Sequence, residues 1–170
     1  MNILAVGRRT MGNAYKDRTD QKIEFARIYL DLRLASSGRG DNTERAHEES
    51  FLFHLVGATD AFKKEIKHAY KLNGSAENHR RSKAWLALQS IENDDTHWLH
   101  LAKYFRNHGA HGSNIGHNFY VGGEKNGTAE FTNPFTKQPM GKSIPDYLKE
   151  CLNLTTSLIA DLRSQLPCPA

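Results

Sequence analysis

Residues 43–72 read TERAHEESFLFHLVGATDAFKKEIKHAYKL. Leu52, Leu55, Val56, Thr59, Phe62, Ile66, Ala69 and Tyr70 recur at intervals of three and four, which lines one side of an α-helix. Thr43 or Asn42 can cap the start. Glu44, Glu48 and Glu49 suit the positive end of the helix dipole, and Asn73-Gly74 stops the run. The stretch predicts one long helix over about 43–72 and, with it, an all-α fold. Lys63, Lys64, Lys67 and Lys71 crowd its last turns. Cations favour a helix C-terminus and solvate an outer face; the other use of such a cluster is phosphate binding.

The same periodicity extends the bundle in both directions. Upstream, Ile23, Ala26, Leu30 and Leu34 form a stripe over about 21–36, and Phe25, Ile28, Tyr29 and Leu32 widen it. A helix apolar over so much of its circumference is expected at the centre of a bundle. Residues 1–20 show no clear period and read as a loosely ordered arm. Downstream, Trp85, Leu88 and Ile91 mark a helix over about 82–91. Asn93-Asp94-Asp95 offers caps for a fourth helix over about 95–108, ended by Gly109 and Gly112. Ser143-Ile144-Pro145-Asp146 opens a last helix running to about 165, with Leu148, Cys151, Leu152, Thr155, Leu158, Ile159 and Leu162 on one face. Between them, residues 112–143 are rich in Gly, Asn, Pro and Thr. Their β-prone runs 118–121 and 128–132 predict a small hairpin or loop insertion near 117–132. The expected architecture is about five helices in a single domain, 21–166.

The bulk numbers agree with one domain and exclude several classes. The chain has 170 residues, enough to close a core without disulfides or metals. Its net charge of +4 permits a polyanionic partner without requiring one. Cys151 and Cys168 make neither a disulfide framework nor a zinc pattern, and the opening Met1 to Gly7 is too short for a secretory signal, so the reading is cytoplasmic. No apolar run approaches the roughly 20 residues that span a bilayer.

Chemistry concentrates in and around Arg106-Asn107-His108-Gly109-Ala110-His111. Five of the nine histidines lie close together: His97, His100, His108, His111 and His117. One reading is metal binding, because His97/His100 and His108/His111 are i,i+3 pairs able to share a helix face. No HExxH accompanies them, and Asp94 and Asp95 read as caps. The bland reading, surface or half-buried rings, suits His97 and His100 beside Trp98. A third reading pairs Arg106 with His111 across a helix end. An imidazole titrating near neutrality can take a proton from a ribose 2′-hydroxyl or return one to a leaving oxygen. A guanidinium stays charged and forks onto phosphate oxygens, and Asn107 can orient either group. That chemistry needs no metal or other cofactor. Lys103, one turn before Arg106, can attract a phosphate backbone, and His108 can assist.

Arg106-Asn107-x-x-x-His111 resembles the Arg-polar-x-x-x-His motif of the HEPN domain family. These are small all-helical bundles, many of them metal-independent endoribonucleases in toxin–antitoxin, defence and RNA-processing systems. The resemblance implies that Arg106 and His111 are catalytic, with Asn107 as the polar motif residue. It also implies a homodimer with a composite active site, and products with 2′,3′-cyclic phosphate ends. RNA is then the expected partner, with a cognate antitoxin or other protein as a second. The sequence departs from the toxin branch, which often carries a Tyr two positions after the His, where this chain has Ser113. Two alternatives stay open: a non-catalytic HEPN-like module binding RNA, a nucleotide or a protein, and a metal-binding bundle using His97, His100, His108 and His111.

Overall fold

The long helix read from residues 43–72 is the axle of the molecule. In the computed structural model, which describes residues 11–36, 42–110, 130–136 and 138–167, it spans Asn42–Leu72. The helices are α1 (Met11–Ala35), α2 (Asn42–Leu72), α3 (Lys83–Glu92), α4 (Trp98–Ala110) and α5 (Ile144–Arg163), with a 3₁₀ turn at Ala76–Arg81 between α2 and α3. Phe51, Leu52, Leu55, Val56, Phe62 and Ile66 of α2 are wholly buried. Their arc is wide because α1, α4, α5 and the 3₁₀ turn all pack against this helix. Gly74 takes a positive φ of 66° directly after α2, and the Ser75 N–H returns to the Tyr70 carbonyl, which satisfies an orphan acceptor at the helix end.

The central place expected for the first helix therefore belongs to α2. Ile23, Ala26 and Leu30 of α1 face the core, but Phe25, Ile28 and Leu32 lie 37%, 43% and 43% exposed. The wide stripe of α1 is two stripes, of which the bundle covers one. This helix also starts at Met11, ten residues before the expected boundary, so half of the expected arm, from Met11 on, is helical. Long-range contacts hold that part: Tyr15 lies against His68, Thr19 is fully buried, and Asp20 pairs with Arg163. None of these leaves a local period in the sequence.

Caps set the other boundaries. Ser82 accepts the Trp85 N–H and starts α3. Asp94 is spent on a turn, accepting from the Thr96 N–H and hydroxyl. His97 Nδ1 instead accepts the Leu99 N–H, so α4 begins at Trp98, three residues after the expected start. It then runs through Gly109, expected to end it, to Ala110. Ser143 accepts the Asp146 N–H, with Pro145 in the first turn of α5, as the sequence predicts.

A two-stranded hairpin precedes α5, and its second strand lies beyond the predicted β-prone runs. Strand β1 (Glu130–Thr132) pairs antiparallel with β2 (Pro139–Ser143), which leads straight into α5. The run 118–121 lies outside the described residues. Asn133 folds the connection: its Oδ1 accepts from the N–H groups of Phe135 and Thr136, and its own N–H reaches the Gln138 carbonyl. Phe135 then packs against Tyr104 and His100, docking the hairpin on α4.

Ion pairs clamp α2 to its neighbours. Arg33 of α1 meets Glu44 and Glu48 in a buried cluster. Arg163 of α5 meets Glu65 of α2 and Asp20 of α1. Glu92 of α3 takes Lys63 of α2 and Lys103 of α4. Among the described residues, no helix is long and apolar enough to cross a membrane.

Candidate functional site

Helix α4 turns Leu101, Ala102 and Phe105 into the core, which leaves the next residue, Arg106, on the flank facing α2. There its Nη1 donates to Asp60 Oδ2 at 3.1 Å, while Nε and Nη2 donate to Asn107 Oδ1 at 3.1 and 3.0 Å. The side chain is 25% exposed and its Asp60 partner 46%. A guanidinium carries five N–H donors, of which three are engaged by described residues; among these residues one donor on each terminal nitrogen has no partner. Asn107 thus braces the arginine rather than presenting its amide oxygen outward. His111 and the side chain of His108 lie outside the described residues.

Lys103 does not join Arg106. Its Nζ lies 2.8 Å from Glu92 Oε1 on α3, and the same carboxylate holds Lys63. Burial alone would raise the Glu92 carboxyl, but the hydrogen bonds and charge of Lys103 and Lys63 outweigh it and hold it below its ordinary value. Two cations sharing one carboxylate leave a single net positive charge beside the Asp60–Arg106 pair.

The two described histidines of the metal reading have structural partners. His100 Nδ1 donates to the Glu92 carbonyl at 2.7 Å, and its ring lies against Phe135. His97 caps α4 and packs beside Trp98; burial holds its pKa down, and the charge of Asp94 opposes that only in part. His97 also lines a shallow groove of about 250 Å³ with Trp98, Met140, Lys142, Tyr147 and Glu150, a set that does not include Arg106. Among the described residues, no group of three or more His, Cys, Asp or Glu side chains could hold a metal ion. Cys151 is fully buried, and burial pushes its thiol up to about 12, which leaves no thiolate for nucleophilic work at neutral pH.

Two groups around α2 were not legible as site residues. Asp60, the carboxylate that receives Arg106, sits 46 residues upstream of it and carries no local signal for that contact. The other group is on the α1 side. Lys22 Nζ donates to His54 Nδ1 at 3.3 Å and sits 4.8 Å above the Phe53 ring. An ammonium cannot accept, so His54 is neutral in this pair. Burial first, and then the charge of Lys22, keeps the His54 pKa down. Comparison of the chain with protein-family models, curated proteins and solved structures finds no match.

Proposed function

We propose that this protein is a metal-independent endoribonuclease of HEPN type, working as a homodimer whose composite site contains Arg106 and His111. The observation that carries the reading is the state of Arg106. It lies one turn before the end of α4 in an all-α bundle, is held from two sides by Asp60 and Asn107, and among the described residues keeps donors for an anion. Such a preset guanidinium is suited to the charge that develops on a phosphate when a 2′-hydroxyl attacks it. His111, five residues on, supplies the proton transfers. RNA is the substrate. A cognate antitoxin or similar protein partner, as in toxin–antitoxin or defence systems, would mask the site.

The test is cleavage of an unstructured RNA in EDTA, with products analysed for 2′,3′-cyclic phosphate ends. Arg106→Ala is expected to lower the rate by roughly 10²–10³-fold and His111→Ala by roughly 10²–10⁴-fold, each with an unchanged circular dichroism spectrum. Cleavage that survives His111→Ala would sink the proposal. The second reading, a non-catalytic module that binds RNA, a nucleotide or a protein, is favoured by one fact: Arg106 already has a carboxylate partner in Asp60. It predicts salt-sensitive binding and no cyclic-phosphate product at any protein concentration.

A further inference from the structure

Among the described residues, Phe53 is the most exposed of the large hydrophobic side chains, at 56%, and the Lys22 ammonium lies against its ring. It lies seven residues before Asp60, so both occupy one face of the helix, two turns or about 10 Å apart. On the α1 side, the Lys22 stem runs across α2 at Gly57: a Cβ there would lie 3.4 Å from Lys22 Cδ and 3.5 Å from its Cε. The Lys22 ammonium ends over one face of the Phe53 ring. On the α4 side, Arg106 closes on Asp60. The strip 53–60 of α2 is therefore flanked by Lys22 and Arg106, with an aromatic ring at one end.

Each part of this strip lacks something an RNA strand would provide. Among the described residues Lys22 has no carboxylate partner; its neighbours are His54, the Phe53 ring and the charge of Arg18. Burial and then Arg18 push its pKa down, and an anion arriving beside it would offset the repulsion from Arg18 and favour the charged form. Phe53 has one ring face under Lys22 and more than half of its surface in solvent. Cations tracking a backbone beside an aromatic platform are what binds an unpaired strand, because every base offers a face to stack. Of the carboxylates nearby, Asp60 is paired with Arg106 and Glu24 with Arg27, while Glu49 lies exposed one turn before Phe53, at the end of the strip away from Arg106.

We propose that Phe53 and Lys22 form a subsite for an unpaired nucleotide, with a base stacked on Phe53 and its phosphate on Lys22, beside the phosphate held by Arg106. The inference rests on the ribonuclease reading for the neighbouring phosphate, but it concerns binding and can be tested without cleavage.

The probe is a fluorescent single-stranded 2′-O-methyl RNA, which cannot be cut by 2′-hydroxyl attack, titrated by anisotropy at several salt concentrations. Phe53→Ala and Phe53→Leu are both expected to weaken binding by roughly 5–100-fold, and Phe53→Trp to restore it. Lys22→Gln should lower the salt slope by about one. Loss in the alanine but not the leucine variant would mean that apolar contact suffices, and would overturn the stacking assignment. Unchanged binding in both, or Phe53 variants that dissociate a dimer in sedimentation while binding RNA normally, would overturn it too, the latter assigning the face to a second copy of the chain. If the wild-type protein binds the probe in this pattern yet cuts no RNA, the subsite stands and the nuclease reading fails. If it binds no single strand, the subsite fails whatever the cleavage assay shows.

Discussion

Arg33 and Arg106 both reach α2 from a neighbouring helix, one from α1 and the other from α4. The Arg33 side chain is 7% exposed and meets two carboxylates, Glu48 at 2.5 Å and Glu44 at 3.2 Å, which are themselves buried. Arg106 is 25% exposed and shares its guanidinium between one half-exposed carboxylate and the amide next door. In the first cluster two acids surround one cation in a dry setting, so its charge is consumed in holding α1 to α2. In the second the cation keeps donors and water. The same residue type is a buried clamp at one end of α2 and a partly exposed cation with a single carboxylate near its middle, and burial is what separates them.

That contrast can be broken by substitution. Arg33→Met leaves two buried carboxylates without their cation and should cost about 3–5 kcal/mol in urea unfolding. Arg106→Met breaks a half-exposed pair and should cost only about 0.2–1 kcal/mol. Equal losses would erase the distinction, and a large loss at Arg106 would favour a purely structural role for it.

Acid sharpens the same point through two glutamates. Glu92 has a folded pKa below its ordinary 4.5, so its contribution is present above that value and is lost as pH falls through the depressed one. Replacing it in Glu92→Gln should cost about 1.5–3 kcal/mol near neutrality and flatten the fall in stability below pH 4.5. Glu48 has the opposite sign. Burial, with the charge of Glu44, raises it against the pull of Arg33, so its contribution is present at low pH and is lost as pH rises through the raised value. Glu48→Gln should therefore not flatten the acid limb; unfolding curves of both variants from pH 3 to 7 decide this, since ~pH 4–5 is where ordinary carboxyls titrate.

The smallest effect is expected at Gly57. A glycine within a helix costs about 0.5–1 kcal/mol relative to alanine, and a Cβ here would meet Lys22 only at ordinary contact distances. Gly57→Ala should raise the thermal midpoint slightly. A fall would mean that the Lys22 stem needs closer contact with α2 than 3.4 Å.

The site was legible in parts. Arg106 and Asn107 stand out as adjacent polar residues just past the buried stripe of α4, and the structure places them in one hydrogen-bonded unit. Lys103 is one turn away on the same helix, yet it turns to Glu92, because a partly buried carboxylate on α3 outcompetes solvent for it. Spacing along a helix told which residues were near each other, but not which neighbouring helix each would meet. Asp60, Lys22 and Phe53 were missed for that reason: their partners come from other helices, tens of residues away.

What the sequence determined by itself was the set of helices. The 3.6-residue period of residues 43–72, the serine caps at Ser82 and Ser143, and the stop at Gly74 are local physics, and local physics fixes helix identity and many boundaries. Tertiary structure alone decided which helix became the axle, which stripe of α1 was left to water, where the strand partner of 130–132 came from, and how each arginine was used. Those outcomes depend on desolvation and on charges brought together across the bundle, and neither has a period in the chain.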